Sequence, residues 1–175
     1  ATKLYVVAQT QQTVRELRAS QHQTFEQLEA FSTLQEQLGY AKFIHDFKNG
    51  VLRRDIALLV KARRDIDQAE NALIWLRSGG ADAAKVDRVA ATIRRYREMT
   101  YLAAQLIEQG ASSEEIDARV VVDDTDASRA MSEIRADIDD RRKGLNEAFE
   151  LQVREVRNLG VMIYLTCAGL ICMSF

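Results

Sequence analysis

The sequence predicts an all-α fold: an elongated antiparallel up-down-up-down four-helix bundle whose last helix continues into a transmembrane helix. Three observations lead there. The 175 residues include no proline and only eight glycines, and a proline inside a helix costs about 3 kcal/mol. Apolar residues recur at spacings of three and four along four long stretches, without the alternation a strand needs. Residues 159–175, LGVMIYLTCAGLICMSF, carry no charge.

The first stretch covers residues 1–38. Leu4, Val7, Val14, Leu17, Phe25, Leu28, Phe31 and Leu38 form a coiled-coil-like stripe, with Gln11, Gln21 and Gln35 intruding and Gly39 ending it. The second covers 40–78 as one helix, with Tyr40, Ile44, Phe47, Val51, Leu58, Ala62, Ile66, Ala69, Leu73 and Leu76 inward, broken at Gly79-Gly80. The third runs from an N-cap at Asp82 to Gln109, with Val86, Val89, Ile93, Tyr96, Ala103 and Ile107 inward and Gly110 at its C-terminal cap. In the link that follows, Ser112 or Ser113 with Glu115 predicts a short capped turn of helix. The fourth stretch begins near Thr125 or Asp126. Met131, Ile134, Ile138, Leu145, Ala148, Gln152 and Leu159 carry it toward the tail.

Composition narrows the function. Lys plus Arg is 24 and Asp plus Glu is 26, for a net charge of −2, which argues against nucleic acid as a partner. With 47% apolar and 29% charged residues the chain is no disordered segment. The only cysteines, Cys167 and Cys172, lie in the apolar tail and do not report a redox compartment.

Seventeen uncharged residues span roughly 25 Å at ~1.5 Å per residue, slightly short of the ~30 Å hydrocarbon core. We read 159–175 as the truncated start of a transmembrane helix in contact with lipid. A buried core helix is the competing reading, but only Thr166, Ser174 and small residues interrupt the run. The apolar cluster Leu4–Ala8 fits either the end of an earlier span or ordinary helix packing. Residues 1–158 then form an extracytoplasmic domain. The expected location is a bacterial inner membrane, with 1–158 in the periplasm.

Charge is unevenly placed. Residues 111–126 hold six acids and one arginine, net −5, whereas residues 40–78 hold eight bases and five acids, net +3. If the first helix leaves the membrane at residue 1, its 38 residues climb roughly 57 Å. The start of the second stretch and the acidic link then both lie at the membrane-distal tip. There His45, Lys48, Asn49 and Leu52 form a second stripe beside the core stripe. Gly50 costs about 1 kcal/mol against Ala within a helix, which suggests close approach of another backbone. The candidate ligand-binding residues are His45, Lys48, Asn49, Arg53, Asp123, Asp124 and Thr125. The plain alternative is that they merely tie the loop to the helix.

The segment GYAKFIHDFKNGVLRRD, residues 39–55, resembles a motif of helical extracytoplasmic sensor regions in bacterial chemoreceptors and membrane diguanylate cyclases. That motif reads GYGG, one or two apolar residues, then HNFKNYVLR, with VDD[ST] downstream. Val122, Asp123, Asp124 and Thr125 match the second part. The chain departs from it at Ala41-Lys42, Asp46 and Gly50. The resemblance implies a receptor sensor domain, four-helical over residues 1–158, that takes a small-molecule or ionic ligand.

His45-Asp46-Phe47-Lys48-Asn49 is also similar to a histidine-kinase H-box, in which His45 would be the phosphoacceptor and Asp46 would assist proton transfer. No Gly-rich nucleotide-binding segment accompanies it, and no HExxH, CxxC, GxSxG or P-loop pattern occurs. We therefore expect no enzyme activity, cofactor or metal in this segment. Asp123, Asp124 and Asp126 do not have the spacing of an EF-hand loop. Trp75 fits either core packing or an interfacial anchor. Gln11 and Gln152 in the stripes point to a homodimer, since polar seam residues set register. The expected function is ligand sensing, with a conformational signal passed through the last helix to a cytoplasmic output domain of diguanylate cyclase, chemoreceptor or kinase type beyond Phe175.

Overall fold

A computed structural model describes the backbone of residues 2–39 and 42–172, and the side chains of residues 11–39, 42–158 and 160–161. The expectations for Leu4–Ala8, for Tyr40, for Leu159 and for the tail from residue 162 onward lie outside the described side chains. The described chain is all-α: α1 (Thr2–Leu38), α2 (Phe43–Arg53), α3 (Ile56–Ser78), α4 (Ala83–Glu108), α5 (Ser113–Arg119) and α6 (Thr125–Cys172). Among the described residues there is no strand, and no helix is long and apolar enough to cross a membrane.

The helix ends follow from local chemistry. Asp82 accepts from Ala84 N at 2.8 Å and Lys85 N at 3.3 Å, capping α4 as its sequence predicts. Ser112 and Glu115 form a capping box that starts α5. Gly110, at φ +85°, takes the left-handed position just past the end of α4.

The second stretch is not one helix, contrary to the sequence reading. It breaks at Arg54, a left-handed residue with φ 52° and ψ 43°. Asp55 N donates to Gly50 O at 2.9 Å and Arg54 N to Val51 O at 3.2 Å, which is the Schellman closure. Asp55 then caps α3 by accepting from Ala57 N at 2.8 Å. The apolar stripe resumes beyond the break as the sequence predicts, with Ala62, Ile66, Ala69, Leu73 and Leu76 buried, and only its first position changes. Leu59 is fully buried where a continuous helix placed Leu58.

The chain divides into two compact units, Gln23–Ile138 and Ala1–His22 with Asp139–Phe175. In the first, one apolar core joins Phe31 and Leu34 of α1, Phe43 and Val51 of α2, and Leu59, Ile66 and Leu76 of α3. Val89 and Ile93 of α4, Ile116 of α5, and Ile134 and Ile138 of α6 complete it. Polar pairs show the helix directions. Arg77 binds Asp87, Arg97 binds Asp67 and Glu70 at 2.8 Å each, and Arg63 stacks over Tyr101, so α3 and α4 run antiparallel. Lys85–Asp137 at 2.6 Å, Arg88–Glu133 and Tyr96–Asp124 set the same relation between α4 and α6.

One inward assignment fails, and one open reading is decided. Phe25 is 65% exposed, because α1 turns Thr24, Gln27, Phe31 and Leu34 to the core, and the Gln27 amide donates to Gly79 O. Trp75 is 68% exposed, which removes core packing as its role. In the second unit Arg142 pairs with Asp139 at 3.7 Å and Arg154 with Glu150 at 3.6 Å along α6.

Candidate functional site

Within the Gln23–Ile138 unit a cavity of about 260 Å³ opens where four segments meet. Gln35, Leu38 and Gly39 close α1 over it, Phe43 and Ile44 start α2, and Val89 to Tyr96 give one face of α4. Asp124, Ala127, Ser128 and Met131 bring in the first turns of α6. The walls are largely apolar. Polar atoms come from Gln35, Thr92, Tyr96, Asp124 and Ser128, a few polar groups on an apolar concavity, as in small-molecule sites.

Tyr96 organises this cavity. Its ring meets Phe43 edge-on, centroids 4.9 Å apart at 69°, and Phe47 at 6.1 Å and 76°, while Phe43 and Phe47 stack at 5.6 Å. Its hydroxyl donates to Asp124 Oδ2 at 3.1 Å. Burial, then the charge and the hydrogen bond of Asp124, push the phenol pKa well above its ordinary value, so the proton stays on Tyr96. The hydroxyl thus ties the α2 aromatic pair to the acidic link.

The seven predicted site residues divide. Asp124 lines the cavity. Asp123 accepts from Thr125 N at 3.0 Å, and the Thr125 hydroxyl and N–H hold its carboxyl below the usual range. His45 lies on the outer face of α2 with Nδ1 3.2 Å from Asp46 Oδ1, and its side chain is 58% exposed. Asn49 donates to His45 O at 2.9 Å, while Lys48 and Arg53 are exposed or nearly so along the same helix. Among the described residues no hydrogen bond or ion pair joins His45, Lys48, Asn49 or Arg53 to Asp123, Asp124 or Thr125. Asp124 reaches the start of α2 through Tyr96, whose ring packs on Phe43 and Phe47.

Sequence reasoning missed a buried charge cluster under α2. Asp46 is 1% exposed and binds Lys61 Nζ at 2.9 Å through Oδ2. Burial pushes its pKa up, but hydrogen bonds from Lys61 and His45 and their charges outweigh that and leave it lowered. Asp65, 6% exposed, has an Oδ2 without a hydrogen-bond partner. Burial and then the Asp46 charge raise its pKa, against the pull of Lys42 and Lys61. The signal was present: Phe43, Asp46, Phe47 and Gly50 share one helical face, as do Ala62, Asp65, Ile66 and Ala69. Among the described residues no group of His, Cys, Asp and Glu could hold a metal ion. No family model, curated protein or solved structure matches the chain.

Proposed function

We propose that residues 1–158 are the ligand-sensing extracytoplasmic domain of a bacterial transmembrane receptor. In this reading they form a four-helix up-down-up-down bundle, α2 and α3 together making its second limb, and α6 enters the membrane through 159–175. The observation that carries the reading is the composition of the cavity. One wall is the start of α6, and α6 is a single helix from Thr125 to Cys172. A ligand touching Asp124 and Ser128 therefore contacts the output helix directly and biases its position against α1, α2 and α4. The motif at residues 39–55 and the Val122–Thr125 segment, which both border this cavity, support it further.

The receptor is a homodimer in the membrane, and its output domain lies on the cytoplasmic side. Labelling a Ser112→Cys variant in intact cells with a membrane-impermeant thiol reagent tests the topology. Ser112 is exposed at the start of α5, so the reading requires modification. Protection of that site sinks the periplasmic placement. Protection would favour the histidine-kinase alternative, which one observation supports: the exposed His45 ring with the Asp46 carboxylate on Nδ1. Crosslinking in native membranes tests the dimer, and a strictly monomeric full-length protein contradicts it.

A further inference from the structure

The geometry points to a small organic cation with a compact apolar body as the occupant of the α1–α2–α4–α6 cavity, its ammonium group held by Asp124. This rests on the sensing reading above and specifies its ligand. Three observations carry it. Among the described residues Asp124 is the only charged side chain lining the cavity, with no Lys, Arg or His beside it. Its Oδ2 accepts from Tyr96, while Oδ1 has no protein partner among the described residues. An N–H donor from a ligand therefore meets a carboxylate that is already oriented and not neutralised by a base. The link carrying Asp124, residues 111–126, is net −5 and repels anions at the mouth.

The remaining walls define the body of the ligand. Leu38, Phe43, Ile44, Val89, Ile93 and Met131 offer an apolar surface, with Phe43 and Tyr96 supplying aromatic faces. A cation near such rings gains a further electrostatic attraction within about 6 Å of the centroid. The volume, about 260 Å³, is below the roughly 300–1,000 Å³ of sites for drug-sized ligands. A single ring or short branched chain with one amine fits, and a peptide or a nucleotide does not.

The test is calorimetric titration of the full chain in nanodiscs with three isosteric probes: phenethylammonium, 2-phenylethanol and phenylacetate. Phenethylammonium is expected to bind about ten- to hundredfold more tightly than the neutral alcohol, the worth of one charge-assisted hydrogen bond, and phenylacetate more weakly still. Asp124→Asn should remove that preference. Ser128→Phe, which places bulk at the exposed edge of the cavity, should weaken all three probes. Circular dichroism establishes that each variant is folded. Equal binding of the three probes, no binding of phenethylammonium, or an unchanged preference in folded Asp124→Asn overturns the proposal. Charge-selective binding that leaves α6 unaltered supports the ligand class while contradicting transmission through α6, so the two readings fail separately.

Discussion

Replacing Gly50 by alanine tests the α2–α3 corner that holds the first wall of the cavity. A Cβ at Gly50 would lie 2.7 Å from Leu59 Cδ2, 2.9 Å from Leu59 Cγ and 3.3 Å from Asp55 O. Non-bonded carbons prefer about 3.5–4.0 Å, so Leu59 must move by roughly 1 Å. Leu59 is 0% exposed, and the shift is taken up inside the core. Such overpacking costs about 1–3 kcal/mol, against roughly 1 kcal/mol gained from alanine's helix propensity. The net expectation is a loss of about 1 kcal/mol. Leu59→Ala alone should lose about 2–5 kcal/mol. In that background the obstruction is gone, and Gly50→Ala should become stabilising by about 1 kcal/mol, a coupling of about 2 kcal/mol between the sites. Urea unfolding followed by far-UV circular dichroism measures all four corners of the cycle. Stabilisation by Gly50→Ala in the natural background, with additivity within about 0.5 kcal/mol, would falsify the close approach.

Three further outcomes follow from named residues. Arg54 is a non-glycine residue in the left-handed region, so Arg54→Gly should stabilise by about 0.5–1 kcal/mol and Arg54→Val should destabilise by more, as read by thermal melting. Asp55→Ala removes the cap of α3 and should lose about 1 kcal/mol, whereas Asp55→Ser should lose less; equal losses would contradict a capping role. The buried carboxyls give opposite pH effects. Asp46, whose pKa is lowered, contributes stability above its unfolded value of 3.8 that disappears as pH falls through the folded value. Asp65, whose pKa is raised, penalises the fold above its folded value, and the penalty lifts as pH falls through it toward 3.8. Asp65→Asn should therefore raise the melting temperature near neutral pH and flatten its rise on mild acidification; a variant that melts lower at every pH contradicts this.

Much of the fold was legible because helix signals are local. Proline's absence, the stripes, Asp82, the Ser112–Glu115 box and the glycine breaks at Gly39 and Gly79 are each read within a few residues of chain. The break at Arg54 was not, because a left-handed arginine leaves no compositional mark and the apolar stripe runs through it. Asp55 followed by Ile56 was the available clue, being a cap placed before an apolar run. The candidate site was half legible. Charge contrast pointed to Asp124 and the start of α2, which both border the cavity, but charge alone could not identify the contact. Tyr96 makes it, and in the sequence Tyr96 is only one more inward position on α4. The His45 ring pairs with Asp46 and Asn49 donates to the His45 carbonyl along α2 itself, a local solution that spacing on the helix allows as readily as a reach across to the loop.

Amide hydrogen exchange of the full-length protein in nanodiscs, with and without saturating phenethylammonium, tests the central claim that cavity occupancy is felt by the output helix. The claim predicts slowed exchange in residues 125–138 at the start of α6, together with slowed exchange in α2 around Phe43 and Ile44 and in α4 around Tyr96. Protection limited to α2 and α4, with residues 125–138 exchanging as in the free protein, would contradict it.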